Sequence, residues 1–221
     1  MKYFTKEIYE QMQIRGYLVY PESEWELEQD KVWYVENGRD YEAEAEQMYT
    51  WVKPYMLKYL PERFYASIHD GSMMTSRWPS PDLAVDIETW KLEWDHEWER
   101  RCKEYVAYYE EIKLSLPGHA RDLRESVRFH DARIIKLNPT EDNQVELVLD
   151  ECIKKRITRL TFQNVTSLRS DVDVFQSVCL YEEVYWIEPS QFELCVLLKS
   201  PRAELGELTL VAGGLTTREN D

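Results

Sequence analysis

Glycine is scarce in this 221-residue chain, at seven residues, and none of them falls in a glycine-rich segment spaced to cradle a phosphate. No Gly-x-Ser-x-Gly elbow occurs, so the serine-hydrolase arrangement has no anchor in the sequence. Cysteine is limited to Cys102, Cys152, Cys179 and Cys195, widely separated and without a Cys-x-x-Cys pair. That spacing predicts free, mostly buried thiols in a reducing cytoplasm. Positive charge is short as well. Against 42 acidic side chains stand 27 basic ones, a formal net charge of −15. Such a surface repels phosphate backbones and anionic lipid heads, which argues against nucleic acid and membrane and leaves a basic protein as the easier partner. The opening MKYFTKEIYEQ lacks the apolar stretch of a signal peptide, and no apolar run reaches bilayer length. The expectation is a soluble cytoplasmic protein.

Aromatic residues, by contrast, are plentiful: eight Trp, fifteen Tyr and six Phe. They supply enough burial to offset the ordering entropy of the chain, so a packed fold is expected. The first half reads at helical period. Thr5 is placed to cap a short helix through about Ile14, stopped by Gly16. Ser23 followed by Glu26 has capping-box spacing, although alternation over residues 31–35 leaves a short strand open there, before the Asn37-Gly38 turn. From Asp40 an apolar stripe runs through Ala45, Met48, Trp51 (or Val52), Tyr55 and Tyr59, with Pro54 expected to kink or split the helix. Residues 70–81 form a loop. Ser80-Pro81-Asp82 then opens the longest helix, striped by Leu83, Ile87, Trp90, Trp94, Trp98, Cys102, Tyr105, Tyr109 and Ile112 and stopped by Leu116-Pro117-Gly118.

Beyond a polar connector the period changes to two. Residues 133–137, 145–149, 160–162, 178–187, 192–198 and 208–210 give about six strands, with turn chemistry at Asn138-Pro139, Glu188-Pro189-Ser190 and Ser200-Pro201. Connections this short require antiparallel pairing. Residues 166–174 read as a polar loop and 213–221 as a frayed tail. The fold expected is α+β: a helical domain over 1–117 and a roughly six-stranded antiparallel β domain over 127–212, with packing of the two as one unit left open.

Four side chains stand out chemically, the pairs His69-Asp70 and His130-Asp131. Adjacent His and Asp on a helix form the centre of metal-dependent phosphohydrolase sites. Here the first pair runs into Gly71 and the second into a strand, a context that favours local turn capping by each Asp. Glu93 and His96 have di-iron spacing, but none of the other three His has a Glu three residues before it. Trp90, Trp94 and Trp98 sit on a nine-residue apolar stripe and read as core before they read as a stacking platform. Lys154-Lys155-Arg156 is too short to claim phosphate binding. The loop with Met73, Met74 and Trp78 is either a partner-binding surface or folded back on its own domain. Nothing asks for a cofactor.

The MKYFTKE opening, the Leu-Pro breaks after the long helices and the FHDARI segment entering a β-rich half resemble a bacterial family of unknown function, over nearly the whole chain. That resemblance implies no activity. A His-Asp pair starting a strand also resembles segments of bacterial immunity proteins, which bind toxins. The function expected is a non-enzymatic cytoplasmic interaction protein, immunity-like in one version. The alternative is a metal-dependent hydrolase built on His69, Asp70, His130 and Asp131, and self-association is a third possibility.

Overall fold

A computed structural model describes residues 1–140, 142–151, 156–187 and 190–220. The chain divides into two compact units, Glu7–Glu99 and a second formed by Met1–Lys6 with Arg100–Asp221. They are called here the helical unit and the sheet unit. No helix is long and apolar enough to cross a membrane among the described residues.

In the helical unit, α1 (Lys6–Tyr17) begins directly after Thr5 and runs through Gly16, which does not stop it. The glycine keeps an ordinary helical φ, so nothing in the backbone forces an end there. α2 (Glu24–Glu36) is a helix over the residues whose alternation had left a strand open. Ser23 Oγ accepts the Glu26 N–H at 3.2 Å, and the Glu26 carboxylate turns back to accept the Glu22 N–H at 2.7 Å. Both bonds satisfy donors orphaned by the helix start, in a variant of the capping box. Asp40 caps α3 (Tyr41–Tyr59) through the Ala43 N–H, and Pro54 does not split it. A 3-10 turn leads into the short α4 (Tyr65–His69). Ser80 Oγ accepts the Leu83 N–H to open α5 (Pro81–Ile112), with Pro81 in the first turn, where a missing N–H costs nothing.

The core of this unit joins α1, α3, α4 and the first part of α5, through Ile14, Tyr49, Val52, Met56, Ile68, Ile87, Trp90 and Trp94. Trp90 and Trp94 are therefore core residues, and the partly buried Trp98 stacks on Trp94 at 5.9 Å. Met73 and Met74 are buried in the same cluster, so this part of the 70–81 loop folds back on its own unit, while of its three large apolar side chains Trp78 alone is exposed. The stripe of α3 differs by one position from the sequence expectation. Ala45, Tyr49, Val52 and Met56 point inward, while Met48 is 52% and Trp51 47% exposed.

Among the described residues the sheet unit has eight strands, not six. They are β1 (Arg133–Pro139), β2 (Val145–Glu151), β3 (Arg156–Gln163), β4 (Ser167–Ser170), β5 (Val178–Ile187), β6 (Gln191–Lys199), β7 (Leu205–Ala212) and β8 (Gly214–Asn220). Their order is β4-β7-β6-β5-β1-β2-β3-β8, antiparallel throughout. The two additional strands are the edges. β4 lies in the stretch read as a polar loop and β8 in the stretch read as a tail. Edge strands carry polar residues because one side of their ladder stays unpaired and their faces bury less. The end of α5 belongs to this unit. Tyr105 is buried there, its hydroxyl accepting the Val184 N–H at 2.8 Å.

The first residues of the chain are built into this unit. Tyr3 and Phe4 are buried, Phe4 stacking on Tyr181 and meeting Tyr105 edge-on, both at 5.3 Å. Glu183, 0% exposed, accepts the backbone N–H groups of Lys2 (2.7 Å), Tyr3 (2.9 Å) and Phe4 (2.6 Å), and the Tyr185 hydroxyl donates to the same carboxylate. A buried carboxylate is tolerable only when donors surround it. Here the N-terminal backbone supplies three of them.

Candidate functional site

The two His-Asp pairs lie one in each unit. His69 ends α4, exposed, and Asp70 accepts both the backbone N–H (2.8 Å) and hydroxyl (2.5 Å) of Ser72. Those bonds hold the Asp70 carboxyl below its ordinary range. Gly71 takes φ 77°, and Arg77 Nη1 donates to the Asp70 carbonyl at 3.0 Å, closing the turn. His130 pairs its Nδ1 with the Leu180 carbonyl, at the bulge where β5 slips register between Cys179 and Tyr181. Its Nε2 lies 3.7 Å from Asp131 Oδ2. Asp131 occupies the left-handed region at φ 64° and donates its N–H to the Cys179 carbonyl at 2.9 Å. The first pair thus shapes a local turn, while the second sits in a turn that is tied to β5. Among the described residues no group of three or more His, Cys, Asp or Glu is arranged to hold a metal ion.

Other candidates resolve in the same way. Glu93 and His96 are both exposed on α5. Cys179 and Cys195 are buried, and burial pushes the Cys195 thiol up to about 12, so neither is a ready thiolate. Cys152, Lys154 and Lys155 lie outside the described residues, as do Glu188 and Pro189 of one expected turn. Arg156 donates from Nε to the buried Glu151 at 2.9 Å, and the Thr158 hydroxyl donates to the same carboxylate at 2.6 Å. This is a satisfied structural network, with its polar atoms turned toward one another.

What remains is a surface of the helical unit. Of thirteen large hydrophobic side chains exposed among the described residues, ten belong to Glu7–Glu99. On α2, Trp25 (69%), Val32, Trp33 and Val35 (73%) face solvent while Leu27 is buried. On α3, Met48 and Trp51 face a groove against α1. Its two adjoining open depressions, of about 580 and 650 Å³, share Gln13, Met48 and Trp51. Gly16 lines one of them, and a Cβ built there meets nothing within 4 Å. Tyr17 and Thr75 close one end, the Tyr17 hydroxyl accepting the Thr75 N–H at 3.4 Å, and burial raises the affinity of that phenol for its proton.

Charge is divided unevenly between the units. Glu7–Glu99 carries 21 acidic and 8 basic side chains, net −13. The rest of the chain carries 21 and 19, net −2. Within residues 22–46 alone stand ten acids and two bases. Exposed apolar area and negative charge therefore coincide on one unit. Sequence reasoning registered the acidity and assigned Met48 to the core, with Trp51 or Val52 as the next position. The signal it had was a helix with apolar residues on two adjoining arcs, only one of which can face inward.

No curated protein and no solved structure matches the chain. Residues 3–209, spanning both units, match the family described as "Protein of unknown function (DUF4085)", and the chain belongs to that family.

Proposed function

We propose that this chain is a non-enzymatic cytoplasmic interaction protein whose helical unit receives a cationic protein. The observation that carries the reading is the coincidence just described: net charge −13 and ten exposed large hydrophobics on Glu7–Glu99. Exposed apolar side chains lose water on contact and supply affinity, while a surrounding field of one sign selects the partner and speeds encounter. An immunity-like role, neutralising a basic toxin, would be one form of this function. The test is affinity capture from the cells that make the protein, followed by hydrogen exchange on the reconstituted pair. The expected result is a partner of net positive charge, released by raising salt to a few tenths molar, that protects amides within residues 7–99. A partner that protects only the sheet unit, or one of net negative charge, would overturn the reading.

A further inference from the structure

The groove between α1 and α3 has a shape and a chemistry that narrow the partner further, on the reading that the helical unit receives a cationic protein. We infer that it seats an amphipathic helix of that protein, apolar toward Met48 and Trp51 and basic at its flanks. Three observations lead there. The two depressions share Gln13, Met48 and Trp51 and so adjoin, offering an apolar strip along α1 and α3 that a helix can meet through residues at i, i+3 or i+4 and i+7. Gly16, in the lining, has ordinary helical φ and no neighbour within 4 Å of a Cβ. Neither backbone strain nor internal packing uses the glycine, and its missing side chain lets an incoming helix approach α1 closely. Glu44 lines one of the depressions, and residues 22–46, which run through α2 into the start of α3, hold ten acids against two bases, so a docked helix rich in Lys or Arg gains where an acidic one is rejected.

Charge also decides among other occupants. A second copy would bring −13 against −13, and nucleic acid or an anionic bilayer would bring negative charge to the same field. A basic helix alone satisfies both the groove and the field.

The test uses the full chain and three synthetic 18-residue peptides: an amphipathic Leu/Lys helix, the same composition scrambled to destroy the apolar face, and a Leu/Glu counterpart. Binding is measured by calorimetry at 50 and 300 mM salt. The chain is native, Met48→Glu or Trp51→Ala, with unchanged circular dichroism required of both variants. Met48→Glu is the decisive variant, because it adds negative charge while removing apolar area. The amphipathic peptide is expected to bind the native chain at micromolar concentration, at least tenfold tighter than its scrambled form. Both variants should weaken it by fivefold or more, and the Leu/Glu peptide should not bind. Equal binding of amphipathic and scrambled peptides, or tighter binding to Met48→Glu, would leave the cationic-partner reading standing and overturn the groove. No binding of either Lys peptide, or preference for the Leu/Glu peptide, would overturn both.

Discussion

Glu183 offers the sharpest perturbation of the fold. Its carboxylate is wholly buried and accepts three backbone N–H groups from Lys2, Tyr3 and Phe4, together with the Tyr185 hydroxyl. Replacing it with alanine leaves two buried backbone donors without partners, each costing about 1–3 kcal/mol. A cavity the size of the lost side chain adds to this. The Tyr3 and Phe4 rings then lose the anchor that holds them against Tyr105 and Tyr181. A total of about 3–5 kcal/mol follows, the range for breaking one side of a buried charged network. Glu183→Gln keeps the shape but turns an NH2 group toward donors, so about 2–4 kcal/mol is expected on the same grounds. The probe must report on the right unit. Seven of the eight Trp lie in Glu7–Glu99 and only Trp186 in the sheet unit, so tryptophan fluorescence would follow mainly the helical unit. Urea unfolding followed by native-state hydrogen exchange resolves the sheet amides directly. The expected result is a large loss of protection across β5 and residues 2–4. Loss of less than about 0.5 kcal/mol in Glu183→Gln, within the range of ordinary surface substitutions, would refute the reasoning.

Three further outcomes follow from the same geometry. Burial pushes the Glu182 carboxyl up to about 7, with the Arg124 guanidinium opposing. The folded state therefore holds this proton more tightly than the unfolded one, and stability falls as pH rises from about 4.5 to 7. Glu182→Gln should match the native chain near pH 4 and exceed it at pH 8, as read by urea midpoints. Gly206→Ala would place a Cβ 2.3 Å from Asp171 Oδ1 and 2.4 Å from Val172 Cγ1, and Asp171 Oδ1 already accepts the Glu207 N–H at 2.6 Å. A loss of about 1–3 kcal/mol is expected, measured by thermal unfolding. Gly16→Ala, at an open helical position, should instead stabilise by about 0.5–1 kcal/mol in the same assay.

Much of this architecture is legible in the sequence because single-arc periodicity is unambiguous. The α5 stripe from Leu83 to Ile112 and the alternation of β7 each admit one inward face. α3 does not. Met48, Trp51 and Tyr55 repeat as regularly as Tyr49, Val52 and Met56, and period alone cannot rank two adjoining arcs. Following Met48, Tyr55 and Tyr59, with Trp51 or Val52 left open between the arcs, hid the groove. β4 and β8 escaped for the opposite reason: Ser167-Leu168-Arg169-Ser170 and Gly214-Leu215-Thr216-Thr217 are too polar to announce strands that pair on one side only. Glu183 left no trace at all. Beside Glu182 in a strand it reads as a solvated carboxylate, and its partners are backbone groups some 180 residues away. The His-Asp pairs, conspicuous in the sequence, occupy turns whose backbone geometry accounts for them.

Hydrogen exchange of the full chain with and without the amphipathic Leu/Lys helix tests the central claim most directly, because it locates the contact as well as detecting it. Slowed exchange confined to α1 and α3, within residues 12–17 and 44–55, is the predicted result. Protection confined to the strands of the sheet unit, or none at saturating peptide, would contradict the account.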